Sequence, residues 1–389
     1  MNKLKLSALV LGMGYALSLS AGAAGAKEIL LGQSVPYSGP ASAYGAIGKA
    51  QVAYFQMVND NGGINGNTVR LLSEDDGYSP PRTIEVQRKF VEQDKVDAIF
   101  TTLGTPGNAA IQPYLNQKKI PHIAYSGANR FTDPARFPWT ISYYPSYELE
   151  GAEMTRYALA QKADAKIAVL YQNDDFGKDY LHGIEKFLGD AAASTIVAQA
   201  AFDLSEPTVN SQISVLAASG ADVFFILGSP KPAAQAIRRA GELGWNAQKY
   251  VVSVSTSINT VLEPAGLDNA NGTISTVFMK DPMSPQFEND EDVKRFKAFL
   301  EKYVPGEKAS DFNMQIAFLV TSAMEGILRS IDGEVNSESI MQAATHWNGE
   351  GVALLLPGIE VRPDPETYQT FRSVRMQRFD GEKWVVLDQ

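Results

Sequence analysis

Asp97 to Asn129 constrains the fold of this chain more than any other stretch. An apolar run, Ala98 to Thr102, ends in the small-residue loop Leu103 to Asn108. The pattern then turns helical through Ala109, Ile111 and Leu115, and a second short strand follows at Pro121 to Tyr125. This is a βαβ unit. Its right-handed crossover sets the loops LGTPG and YSGAN at one edge of a parallel sheet, the edge where open α/β sheets take ligands. Because the first loop opens a helix, free backbone N–H groups near Thr105 and the Thr105 hydroxyl are suited to a carboxylate.

Strand and helix alternate on both sides of this unit. Before it lie the strand EILLGQSV, the loop PYSGPASAYG, a helix over Ala46 to Asn59, the strand Val69 to Glu74 and a helix over Arg82 to Gln93. After it, FPWTISYYPSYELEG reads as a link into a second alternating series. That series has strands at Lys166 to Tyr171, Thr195 to Phe202, Asp222 to Leu227 and Tyr250 to Val254, with helices between them. Such alternation specifies parallel sheets covered on both faces, and 389 residues suffice for two of them. The expectation is an α/β chain of two Rossmann-like lobes. Residues 27–143 with 276–356 form the first lobe and residues 144–275 with 357–389 the second, joined by three crossings near Tyr143, Thr276 and Leu356. The late segments, helices at Asp290 to Tyr303, Phe312 to Ser330 and Ser337 to Ala344, complete the first lobe. Short strands at Val352 to Leu356 and Phe371 to Leu387 end the chain.

Composition narrows the function. The balance is acidic, 34 Lys and Arg against 44 Asp and Glu, and no basic run appears, which argues against nucleic acid and anionic membrane surfaces. With no cysteine there is no disulfide, thiolate site or lipid-bearing cysteine. Residues 1–26 read as a secretory leader: Lys3 and Lys5, the apolar run Leu6 to Leu19, then Ala24, Gly25 and Ala26 as a small-residue cleavage site. The expected destination is the periplasm, with no membrane insertion after the leader is removed.

The motifs SGPASAYG (Ser38 to Gly45), NDNGGINGNTVRLLSEDDG (Asn59 to Gly77), IPHIAYSGAN (Ile120 to Asn129) and IAVLYQNDDFGKDY (Ile167 to Tyr180) occur in this order. In that order the chain resembles the periplasmic type I solute-binding proteins of the leucine/isoleucine/valine-binding kind, which serve ABC importers. The resemblance spans essentially the whole chain after the leader. It implies a ligand held in an interlobe cleft by domain closure, a membrane permease as partner, no cofactor and no chemistry on the ligand. Carried over by motif, the binding residues are Gly104 and Thr105, the strand and loop Tyr125, Ser126, Ala128 and Asn129, the covering aromatics Tyr44 and Phe176, and Ser229 with Pro230 on the second lobe. The position where amino-acid binders of this kind place a carboxylate against the ligand ammonium falls on Val254. The expected ligand is therefore a small carboxylate with a hydrophobic or aromatic body, an amino acid being the alternative if Asp174 or Asp175 supplies the missing charge.

Other readings carry less. His122, His182 and His346 lack metal-ligand spacing, and no GxSxG or GxxxxGK[ST] motif is present, which disfavours an exported hydrolase. Glu74, Asp75 and Asp76 read as a solvated loop with one carboxylate near the cleft, and Lys231 as a solvent-facing helix start. A ligand-sensing subunit for a membrane receptor would use the same fold.

Overall fold

The structure is a computed structural model and describes residues 27–387, so the leader lies outside the described residues. The first sheet contains β1 (Glu28–Val35), β2 (Thr68–Asp75), β3 (Ala98–Leu103), β4 (His122–Tyr125) and β5 (Thr140–Ser142). Its order is β2-β1-β3-β4-β5 and every pairing is parallel. The crossovers are α1 (Gly45–Asp60), α2 (Pro80–Lys89) and α3 (Thr105–Lys118). Every residue of β3 and β4 is buried, as helices on both faces of a parallel sheet require.

The chain then enters the second sheet through α4 (Tyr147–Gln161) and continues with β6 (Ile167–Gln172), α5 (Asp175–Leu188), β7 (Ile196–Phe202), α6 (Asn210–Ala217), β8 (Val223–Leu227), α7 (Pro230–Glu242), β9 (Gln248–Val251) and β10 (Ile274–Val277). Beyond β10 come α8 (Glu291–Tyr303), α9 (Phe312–Arg329) and α10 (Ser337–His346), then β11 (Arg375–Phe379) and β12 (Trp384–Val386). The order is β12-β11-β10-β9-β8-β6-β7, parallel except for the antiparallel pairs β10–β11 and β11–β12. This is the two-lobed α/β architecture expected from the alternation of strands and helices.

Helices α8 and α9 pack on α1 of the first sheet. The Tyr54 hydroxyl donates to Glu325 Oε2 at 2.6 Å, Arg295 donates to the same oxygen at 2.9 Å, and the rings of Tyr54, Phe299 and Phe318 form a cluster of edge-on and tilted contacts. The chain thus returns to the first sheet after β10 and leaves it again for β11.

Two expected strands differ. Val352 to Leu356 is not a strand: it forms a single antiparallel bridge to the chain leaving β10, with Lys280 N–H to Leu354 O at 2.8 Å and Leu356 N–H to Phe278 O at 3.0 Å. These two segments run side by side between the sheets, where no further strand extends the pairing. The strand expected to reach Val254 ends at Val251, and Ser253–Ser255 coils into one 3₁₀ turn. The acidic cluster is likewise not a solvated loop. Glu74 and Asp75 end β2, and Asp76 is fully buried, accepting from the hydroxyls of Ser34 at 2.9 Å and Thr83 at 2.8 Å and from the Tyr78 N–H at 2.9 Å.

Candidate ligand-binding cleft

The first wall of the cleft forms where β3 becomes α3. The β3–β4 register slips between Phe100 and Leu103, and Thr101 there adopts φ +52°. The slip is followed by Gly104 at φ +109°, a conformation open mainly to glycine. A Cβ on Gly104 would stand 2.9 Å from the Tyr78 ring, so the missing side chain also lets that ring lie against the loop. Thr105 starts α3 with no side chain capping the helix, which leaves its first-turn N–H groups and dipole facing the cleft. The Thr105 hydroxyl lies 2.9 Å from the Ser126 hydroxyl and 3.3 Å from that of Tyr147. Burial pushes the Tyr147 phenol up to about 12, so it stays a neutral donor.

Tyr147 reaches this point because the YSGAN loop has no side chain at Gly127. A Cβ there would meet the Pro145 carbonyl at 2.2 Å and the Tyr147 ring at 2.5 Å. The Tyr147 N–H donates to Gly127 O at 2.9 Å, joining the start of α4 to the first sheet's loop.

The second wall comes from the loops after β6, β8 and β9. Asp174 caps α5 by accepting from the N–H groups of Phe176 and Gly177, and its other oxygen accepts from Gln172 Nε2 at 2.6 Å. Gln172 in turn accepts from the Ser229 hydroxyl at 2.9 Å. The Tyr78 hydroxyl crosses the cleft to within 3.5 Å of Asp174 Oδ2. Tyr78 holds φ +62°, a strained conformation for an aromatic residue, and the Asp76 carboxylate keeps it there through the Tyr78 N–H. Burial raises the Asp174 carboxyl above the usual carboxylate range.

A small cavity of about 20 Å³ lies between these walls. Tyr44, Gly104, Thr105, Tyr125, Phe176, Ser229 and Val254, all expected from the sequence, line it, together with Tyr78, Leu103 and Tyr147, which were not. Ser126 is brought to it through Thr105. Ala128 and Asn129 are turned away: Ala128 packs in the core, while the Asn129 N–H donates to Asp179 at 3.1 Å and its side chain accepts from Ser146 at 3.0 Å. Pro230 is buried at the start of α7, and Lys231 beside it is exposed. Tyr78 lies in the loop between the strand read at Val69 to Glu74 and the helix over Arg82 to Gln93, where the sequence did not single it out. Tyr147 carried no signal apart from its position beside Pro145 and Ser146.

The lining includes five aromatic rings and several hydroxyls but no Asp, Glu, Lys, Arg or His. The Tyr125 hydroxyl is buried without a hydrogen-bond partner. The volume holds about one water molecule, so entry of an organic ligand requires the walls to separate. They are tied outside the cavity by Arg130 to Asp175 at 3.7 Å, Asn129 to Asp179, and Ser257 to Asp311 at 3.2 Å. Asp175 is thus an exposed partner of Arg130, whereas Asp174 stands directly behind Tyr78.

His122 is a buried structural residue, with Nε2 2.7 Å from Asn108 Oδ1, and burial holds its pKa down to about 3. Among the described residues no group of three or more His, Asp or Glu side chains is placed to hold a metal ion, and no helix is long and apolar enough to cross a membrane.

The chain is similar over 290 residues, at 26% identity, to a Leu/Ile/Val-binding protein homolog 1 of Brucella suis, covering 74% of this chain and 76% of that one. Its fold matches a substrate-binding periplasmic protein from Ralstonia solanacearum with TM-score 0.82 and 24% identity, over 92% of this chain and all of the other. It also matches a branched chain amino acid ABC transporter protein from Thermus thermophilus with bound valine, TM-score 0.82 and 19% identity, over 94% and 96% of the two chains. A family model described as periplasmic binding protein matches residues 28–382, which takes in both walls of the cleft and every strand but β12. With that span matched, the chain belongs to the periplasmic binding protein family, whose members bind solutes rather than transform them.

Proposed function

We propose that this protein binds a small monocarboxylate with a hydrophobic or aromatic body in the interlobe cavity and delivers it to the permease of a branched-chain-type ABC importer. The observation that carries the reading is the asymmetry of the lining. One end offers the Thr105, Ser126 and Tyr147 hydroxyls at the N-terminus of α3, and the rest is mainly aromatic, with Leu103, Val254 and the Ser229 hydroxyl and no carboxylate in contact. A carboxylate is stabilised at the first end by hydrogen bonds and the helix dipole. An ammonium at the other end would be desolvated without an ion partner, at a cost of several kcal/mol. Closure follows as a population shift, since only a closed cleft lets one ligand touch Thr105 and Phe176 together.

A branched-chain amino acid is the second reading. It is favoured by Asp174, 3.5 Å behind the Tyr78 hydroxyl and, among the described residues, without a cationic partner, and by the names of the relatives and the valine-bound neighbour. Thermal unfolding against a panel of aromatic acids, aliphatic acids and amino acids separates the two. Ligand at 100 times its dissociation constant stabilises the fold by about 2.7 kcal/mol. A shift with the simple acids and none with leucine, isoleucine or valine supports the first reading. A shift with valine that vanishes in Asp174→Asn replaces it with the second.

A further inference from the structure

A second, larger cavity of about 310 Å³ lies where the chain leaves β10, and it shares no lining residue with the cleft. Its floor is apolar and buried: Val277, Phe278 and Met279 from β10 and its outgoing segment, and Phe312 from the start of α9. Trp384 of β12 closes one side, held by its indole N–H donating to Thr256 O at 2.8 Å. The cavity is therefore walled both by the second sheet and by a helix packed on the first. Its volume falls in the range of small-molecule sites.

One wall carries a carboxylate with no ion pair. Asp281 is half-buried in the lining, and its carboxylate accepts only the Met283 N–H, at 2.8 Å. Among the described residues no lysine or arginine nitrogen lies within salt-bridge distance of it. The adjacent Lys280 is turned away and paired with Asp290 at 2.7 Å and Asp292 at 3.3 Å, and Lys308 on the rim donates to Asn259 at 3.3 Å. Lys383, which also lines the cavity, and Lys297 act on Asp281 without reaching salt-bridge distance, and burial raises its carboxyl. A half-buried carboxylate over an apolar floor is the arrangement that recognises an amine bearing a hydrophobic body.

The geometry points to a second ligand site, in which the cavity takes an apolar organic ammonium ion against Asp281 and so bridges the two lobes beside the segment that joins them. An occupant touching both lobes favours the closed relation by its differential affinity for it.

The probe is 2-phenylethylammonium, titrated calorimetrically into the purified protein, with the neutral 2-phenylethanol as control. The expected result is saturable binding of the ammonium ion. It is weakened on the order of tenfold, about 1.4 kcal/mol, in Asp281→Asn, while the alcohol binds both proteins alike. Ser310→Trp, which fills the cavity from its rim, should abolish binding of both. The inference is overturned if no saturable binding occurs, if Asp281→Asn binds the ion as the parent does, or if Ser310→Trp leaves binding intact. Unliganded melting curves of both variants check folding, and because the carboxyl is half-buried and lacks an ion partner, Asp281→Asn should melt with the parent.

Discussion

The Thr105 hydroxyl, on the first residue of α3, lies 2.9 Å from the hydroxyl of Ser126 in the loop after β4, although the two are 21 residues apart. Neighbouring parallel strands bring both loops to one sheet edge, and the contact makes a pair of neutral donors directly beside an uncapped helix start. Thr105→Ala should weaken binding of the carboxylate found in the thermal panel by about 1.5–3 kcal/mol, the loss expected for a hydrogen bond to a charged group. Isothermal calorimetry measures it; a change within about twofold would show that the anion sits elsewhere.

Gly127 is the position where the backbone must stay bare for Tyr147 to complete that group. Gly127→Ala drives a Cβ into the Pro145 carbonyl and the Tyr147 ring. Overpacking of this kind costs about 1–3 kcal/mol. At about 2–4 °C per kcal/mol for lobes of this size, a lowered melting temperature is expected together with weaker ligand binding. An alanine variant that melts and binds as the parent does would contradict the tight approach.

Asp76 governs the same wall through Tyr78. Asp76→Ala leaves the Ser34 and Thr83 hydroxyls and the Tyr78 N–H without their acceptor. It should destabilise the protein by about 1–3 kcal/mol for each buried group left unpaired. It also frees Tyr78 to leave φ +62°. Asp76→Asn keeps the acceptor oxygen and should recover part of both stability and affinity. Urea unfolding and ligand titration of the two variants check this.

His122 gives a pH dependence of known sign. Its folded value of about 3 lies below the ordinary 6.5, so between these values the unfolded chain binds more protons than the folded one. Its contribution is fully present above about pH 6.5 and is lost as pH falls towards about 3. The buried carboxyls of Asp76, Glu150 and Asp174 are raised by burial, so their contribution has the opposite sign: present at low pH and lost as pH rises through their raised values. Unfolding free energies of the parent and of His122→Gln, measured across this window, should differ in slope by one proton. Parallel curves would mean that His122 is protonated in the fold.

The alternation of apolar runs with helical spacing determined the α/β class, because parallel strands covered on both faces must be continuously apolar. The small-residue loops at the strand ends determined which sheet edge holds the cleft, and Thr105 was legible there for that reason, whereas Tyr44 and Phe176 came from the resemblance of their motifs. The tertiary structure decided which loop residues turn inward. Tyr78 faces the cavity because Asp76, distant from solvent despite its acidic neighbours, fixes a left-handed turn. Tyr147 faces it because Gly127 vacates the space. Asn129 faces away because its backbone N–H is drawn to Asp179 across the cleft. Local sequence sets backbone preference and periodicity, whereas these orientations depend on contacts between residues far apart in the chain, Asp76 with Ser34, Gly127 with Tyr147 and Asn129 with Asp179, and only the packed fold brings those contacts into being.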